Sequence, residues 1–90
     1  MNIVIIGKRN CPHSVAAMKT ARQVMKKRFI RNVTSLYVDT ISGRNALRRF
    51  QRRIPMSHQT YPIIFANTSR NKSYRFLGGN AEFQAWVRSQ

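Results

Sequence analysis

A chain of 90 residues with 42% apolar side chains suits one small globular domain, and excludes a multidomain enzyme or a chain disordered by composition. Its one cysteine, Cys11, excludes an internal disulfide framework and any metal site built from several cysteines. Seventeen Lys and Arg, twelve of them Arg, face only Asp39 and Glu82, and a net charge of +15 on so small a body repels itself unless something anionic lies against it.

The chain opens with Asn2–Gly7, where the run Ile3-Val4-Ile5-Ile6 predicts a strand buried on both faces and ended by Gly7. Lys8, Arg9 and Asn10 form a polar loop. Pro12 then starts a helix at a position where its missing N–H costs nothing. This helix is expected to reach about Arg28, with Met18, Ala21, Met25 and Phe29 on one apolar face. A second strand follows at Val33–Val38, and a strand–helix–strand crossover of this length predicts parallel pairing with the first. Ser42-Gly43 reads as a turn and Arg44–Arg53 as a second helix with Leu47, Phe50 and Ile54 as its stripe. Pro55 stops it by pushing the residue before it out of the helical region.

Met56–Gln59 reads as a loop. Ile63–Ala66 is the third strand, Asn67–Lys72 a polar turn, and Ser73–Leu77 a returning strand, which makes a hairpin. Gly78-Gly79 breaks the chain, and Asn80 is expected to cap a last helix reaching about Arg88. Phe83, Trp86 and Val87 face its core, and Glu82 suits its first turn. The order is β-α-β-α-β-β-α: one α/β domain, 1–90, with a mixed four-stranded sheet between helices. No apolar run approaches the ~20 residues of a membrane span, and Ile3–Ile6 lacks the length and basic flank of a signal peptide. The expectation is a soluble, intracellular protein.

Three places carry candidate chemistry. Cys11 lies between a buried strand and a helix start, where unpaired N–H groups favour a thiolate, and Lys8 and Arg9 add two cations nearby. These pull its pKa below the free value of ~8.5 and point to a nucleophile rather than an inert core thiol. Thr60-Tyr61-Pro62 precedes the third strand. A cis Tyr61-Pro62 bond would leave the backbone of Tyr61 free to pair with an extended peptide, and an ordinary proline at a strand start is the alternative. Gly78-Gly79-Asn80 lets backbone approach a ligand at a helix start that suits a carboxylate, or is a plain turn.

In this order and spacing, the cysteine at the first strand-to-helix junction, Thr60-x-Pro62 and Gly78-Gly79 resemble the glutaredoxin family, most nearly its small bacterial, phage and large-virus type. Cys11-Pro12-His13-Ser14 is similar to the family's Cys-Pro-Tyr-Cys box at two of four positions, and Lys8 stands at the lysine three residues before the cysteine. Thr60-Tyr61-Pro62 is similar to Thr-Val-Pro, and Gly78-Gly79-Asn80-Ala81-Glu82 to Gly-Gly-x-x-Asp. The resemblance spans Ile3 to Val87. It implies a thioredoxin-like fold and a site for glutathione as co-substrate.

Lys8, together with Arg52, Arg49 or Gln51, would hold the glycine carboxylate. The backbone of Tyr61 beside Pro62 would pair with the cysteinyl unit, while Gly79, Asn80, Ala81 and Glu82 surround the γ-glutamyl end. Departures from the family pattern are as informative. Ser14 replaces the resolving cysteine, which leaves a monothiol cycle in which Cys11 takes up and passes on a glutathionyl group. His13 replaces tyrosine, Tyr61 is larger than valine, Ala81 lacks a hydroxyl, and Glu82 is longer than Asp. The Cys-Gly-Phe-Ser box of the cluster-carrying class is missing, so no iron–sulfur cluster is expected, and no metal on His13 or His58.

Two functions follow. One is a monothiol, glutathione-dependent thiol-disulfide oxidoreductase acting on glutathione or a glutathionylated protein. The other is a binding component of a virion or ribonucleoprotein, whose Arg48–Arg53 cluster meets nucleic acid or an acidic protein surface through planar guanidinium forks.

Overall fold

The computed structural model describes residues 1–25, 30–58, 60–67 and 73–89. In chain order the elements are β1 (Asn2–Gly7), α1 (Pro12–Val24), β2 (Asn32–Tyr37), α2 (Ile41–Phe50), a 3₁₀ turn (Gln51–Arg53), β3 (Ile63–Asn67), β4 (Arg75–Gly78) and α3 (Asn80–Arg88). The strands lie in the order β2-β1-β3-β4. β1 runs parallel to β2, from Asn2 opposite Asn32 to Gly7 opposite Tyr37, and antiparallel to β3; β4 is antiparallel to β3. This is the mixed four-stranded sheet expected from the pattern of elements.

β1 is buried on both faces because its side chains alternate between two cores. Ile3 and Ile5 join Ala17, Met18, Ala21 and Val24 of α1 and Phe83 of α3. Val4 and Ile6 join Phe50, Ile63 and Phe65 on the face that α2 covers. Aromatic rings order this second core: Phe50 stacks on Phe65 at 4.7 Å, and Tyr74 and Phe76 meet the pair edge-on. Across the first face, the Gln84 Nε2 group of α3 donates to Thr20 Oγ1 of α1 at 2.7 Å and to Asn80 Oδ1 at 3.1 Å, which fastens the two helices together.

Several boundaries differ from the sequence reading, each for a local reason. α1 ends at Val24, and Met25, the residue at which it ends, is 44% exposed rather than part of the apolar stripe. Val24 takes the buried place. The expected extension of this helix through residues 26–28, with Phe29 beyond it, lies outside the described residues, as do Gln59 and residues 68–72 of the polar turn.

α2 starts at Ile41, three residues earlier than expected, because Thr40 caps it. The Thr40 hydroxyl accepts from the Gly43 N–H at 3.0 Å and donates to the Tyr37 carbonyl at 2.6 Å. Gly43 is therefore no turn residue. It lets the first turn of α2 press on the end of β2, where any Cβ would overlap the Tyr37 carbonyl. The helical path stays α to Phe50 and tightens to 3₁₀ for Gln51–Arg53, and Ile54 before Pro55 is extended, as that proline requires. β2 is shifted one residue earlier than expected, and β4 starts two residues later and ends one later, at Gly78. Gly79, not Asn80, is the N-cap of α3; Asn80 is its first residue, with its side chain held by Gln84.

Candidate active site

Cys11 is the N-cap residue of α1, extended at φ −101° and ψ 113°, and its carbonyl accepts the first helical bond from the Val15 N–H at 3.0 Å. Pro12, next in line, opens the helix where no N–H is needed. The loop between β1 and α1 is tight: the Cys11 N–H donates to the Lys8 carbonyl at 3.3 Å, and Asn10 takes a left-handed φ of 60°. Beneath it, the fully buried Ser14 accepts from the Lys8 N–H through its Oγ at 3.1 Å. The loop is thus pinned to the helix it precedes.

The half-buried thiol of Cys11 donates to the Tyr61 carbonyl at 3.9 Å. Tyr61-Pro62 is cis, which decides between the two forms that the sequence left open. The thiol is held below the ordinary value, first by a hydrogen bond from the Ser14 hydroxyl and then by the Ser14 N–H. Partial burial works against this, and the His13 N–H and the Lys8 charge add smaller contributions. Arg9, expected as a second cation beside the thiol, is engaged elsewhere. Its guanidinium turns to Asp39, with Nε 2.8 Å from Oδ2, and lies 4.4 Å above the Tyr37 ring, so that cation serves a different contact.

Two neighbouring cavities flank Tyr61 and share His58, Thr60 and Tyr61 in their walls. The first, of about 260 Å³, runs from His13 to the start of α3 and is lined there by Gly79, Asn80, Ala81 and Glu82. The second, of about 310 Å³, lies against α2, where Arg48 and Gln51 form its wall with Leu47, Ile54 and Ile63. Ligand pockets commonly measure about 300–1,000 Å³, and each of the two lies near the lower end of that range.

Tyr61, Gly79, Asn80, Ala81 and Glu82 therefore come together around one cavity, while Pro62 lies buried behind it. Lys8 is exposed in the loop before Cys11, and Arg52 is exposed in the 3₁₀ turn; neither lines these cavities. Gly78, with φ at 127°, turns the chain from β4 into α3, and the Glu82 side chain packs where a Cβ would stand. Only glycine fits both demands.

Two contributors were not singled out from sequence. Ser14 was read only as a missing thiol, whereas its hydroxyl holds both the loop and the sulfur. His58 donates from Nε2 to the Pro62 carbonyl at 3.3 Å, meets Phe76 edge-on at 5.0 Å and stands beside Gly79, so it forms the partition between the two cavities. Its signal was no more than its place four residues before the proline. Among the described residues no three His, Cys, Asp or Glu side chains come together as a metal would need, and no helix is long and apolar enough to cross a membrane.

No protein-family model matches the chain, and no curated protein matches it in sequence. Solved structures do. Reduced Escherichia coli glutaredoxin shares 23% identity at a TM-score of 0.70, over 100% of this chain and 96% of that one. A further structure of E. coli glutaredoxin shares 25% identity at 0.66, over 99% and 95%. The dithiolic glutaredoxin of Trypanosoma brucei brucei shares 24% identity at 0.60, over 97% and 77%. Along its whole length, this chain has the thioredoxin-like fold of the glutaredoxins.

Proposed function

We propose that this chain is a monothiol glutaredoxin, a glutathione-dependent thiol-disulfide oxidoreductase that works through Cys11 alone. The observation that carries the reading is the lowered thiol of Cys11 at the head of α1, in contact with the carbonyl of Tyr61, a residue that lines both cavities. The Cys11 thiolate attacks the glutathione sulfur of a protein–glutathione mixed disulfide. A Cys11–glutathione disulfide forms, and the protein sulfur leaves as a thiolate that takes a proton. A second glutathione, as its thiolate, then attacks the glutathione sulfur of that adduct. Oxidised glutathione departs and the Cys11 thiolate returns. One mixed disulfide and one glutathione thus become one protein thiol and one glutathione disulfide.

Each part of a glutathionyl group has a candidate partner around the thiol. Its γ-glutamyl end suits the α3 start, its cysteinyl unit the Tyr61 backbone, and its glycine carboxylate the basic side formed by Lys8, α2 and the 3₁₀ turn, with Arg52, Arg49 and Gln51 as candidates there. The chemistry needs no metal. Cys11→Ser should abolish reduction of a glutathione mixed disulfide in a coupled assay with glutathione, and equal rates for the two proteins would remove the reading. The surplus of Arg supports a second reading, in which this fold also serves as a basic component of a virion or ribonucleoprotein. Either role suits a soluble intracellular protein. Native complexes that lack both nucleic acid and acidic protein would exclude the second role.

A further inference from the structure

We propose that the arginine ridge of α2 and the 3₁₀ turn selects the substrate: glutathionylated proteins whose modified cysteine lies in an extended segment flanked by Asp or Glu. The inference rests on the thiol chemistry proposed above and names the class of protein it serves. Arg44, Arg48, Arg49, Arg52 and Arg53 are all exposed on α2 and the turn that follows it, with Arg48 on the cavity beside Tyr61 and Arg49 on the groove between α2 and the sheet. Arg48 and Gln51 also wall the cavity whose other side holds Thr60 and Tyr61, and the Tyr61 carbonyl is the group that meets the Cys11 sulfur. One arginine of the ridge, Arg48, therefore lines a cavity whose opposite wall is the residue that the thiol touches.

Among the described residues no acid is paired with the ridge. Of its two acids, Asp39 is paired with Arg9, and Glu82 packs over Gly78 at the start of α3. Spacing adds to charge. Arg44 and Arg48 stand one helical turn apart, a rise of about 6 Å, while alternate side chains of an extended peptide recur every ~6.6–6.8 Å. A segment lying across the groove in that form sets alternate carboxylates against successive guanidinium groups, which receive them as forks.

A peptide fits this surface better than a nucleic acid does. Single-stranded nucleic acid is held by exposed aromatic rings on which bases stack. Among the described residues, the exposed large apolar side chains are Val15, Met25, Ile41 and Met56, none of them aromatic. Met56, 94% exposed just beyond the 3₁₀ turn, instead offers a flexible apolar contact of the kind that peptide-binding surfaces use.

The test compares synthetic peptides of equal length, each with one glutathionylated cysteine flanked by Glu, Gln or Lys, with the small mixed disulfide of glutathione and 2-mercaptoethanol. Reduction is followed in the intact protein and in the double variant Arg44→Gln/Arg53→Gln. The Glu peptide should exceed the Gln peptide in kcat/KM roughly tenfold at low salt, within the range of electrostatic steering. That preference should collapse at about 1 M salt, where charges are screened within ~3 Å. The double variant should lose most of it and reduce the small disulfide at the unaltered rate. Equal kcat/KM for the Glu and Gln peptides, or a preference that survives in the variant, would overturn the inference while the thiol reading stands. Absence of turnover with every substrate would overturn both. If a single-stranded oligonucleotide binds the Cys11→Ser protein more tightly than the Glu peptide does at equal charge, the ridge belongs to nucleic acid and the inference fails.

Discussion

The two faces of the sheet are built to different standards. On one, α1 and α3 close over Ile3, Ile5 and Ile64, and Phe83 is fully buried between them. On the other, α2 alone, with Ile54 beyond it, packs over Val4, Ile6 and Phe65, and an open groove of about 430 Å³ remains between α2 and the sheet, with Phe50 and Tyr74 in its wall. The closed face anchors α1, and with it the sulfur at the head of that helix. The open face supplies one wall of the ligand groove and all five arginines of the ridge. Rigidity for the nucleophile and access for the substrate are thus divided between opposite sides of a sheet four strands wide.

Truncating one large ring on each face tests this division. Phe83→Ala should cost about 4–5 kcal/mol, at the upper end of the range for such deletions, because two helices and the sheet leave nothing to collapse into the void. Phe50→Ala should cost about 3 kcal/mol, since its site borders the open groove and water or a shifted Tyr74 can fill part of the space. Urea denaturation of both variants measures the difference, and equal losses would show that the faces are equivalent.

Ser14→Ala sharpens the comparison at the point where the closed face meets the thiol. It removes the acceptor of the Lys8 N–H and the hydroxyl that holds the Cys11 sulfur, for about 1 kcal/mol of stability. In the natural protein the thiolate is populated from below the ordinary thiol range, so alkylation by iodoacetamide should rise with pH and level off early. In the variant the same rise should move to higher pH. An unmoved profile would assign the lowered thiol to the helix start alone. The smallest effect belongs to the open face: Arg44→Gln should change stability by no more than about 0.5 kcal/mol. Its sign at low salt should be stabilising, because one of many like charges is removed.

Much of this architecture could be read from the residues. The β-branched run of β1, the Cys11-Pro12 junction and the apolar hairpin strand each have one reading in local physics, and each stands where it was expected. The start of α2 was obscured because Gly43 usually breaks helices and Ile41, 72% exposed, offers no buried stripe; the cap from Thr40 overrides both. Arg9 was misplaced because its partner, Asp39, is thirty residues away in the chain, a distance that only folding closes. Ser14 looked like a loss because sequence shows which thiol is missing and not where a hydroxyl points. The place of His58 between the cavities depends on the path of the loop ahead of Pro62, which no periodicity encodes.

The lone thiol at the head of α1, with a serine beneath it, has a practical consequence for anyone handling the protein. A chain with one thiol cannot close a bridge on itself, so disulfide formation always adds another molecule's atoms or joins two chains. Intact-mass spectra of freshly isolated material therefore report its disulfide state directly, and the added mass identifies whichever thiol the cell last presented to it.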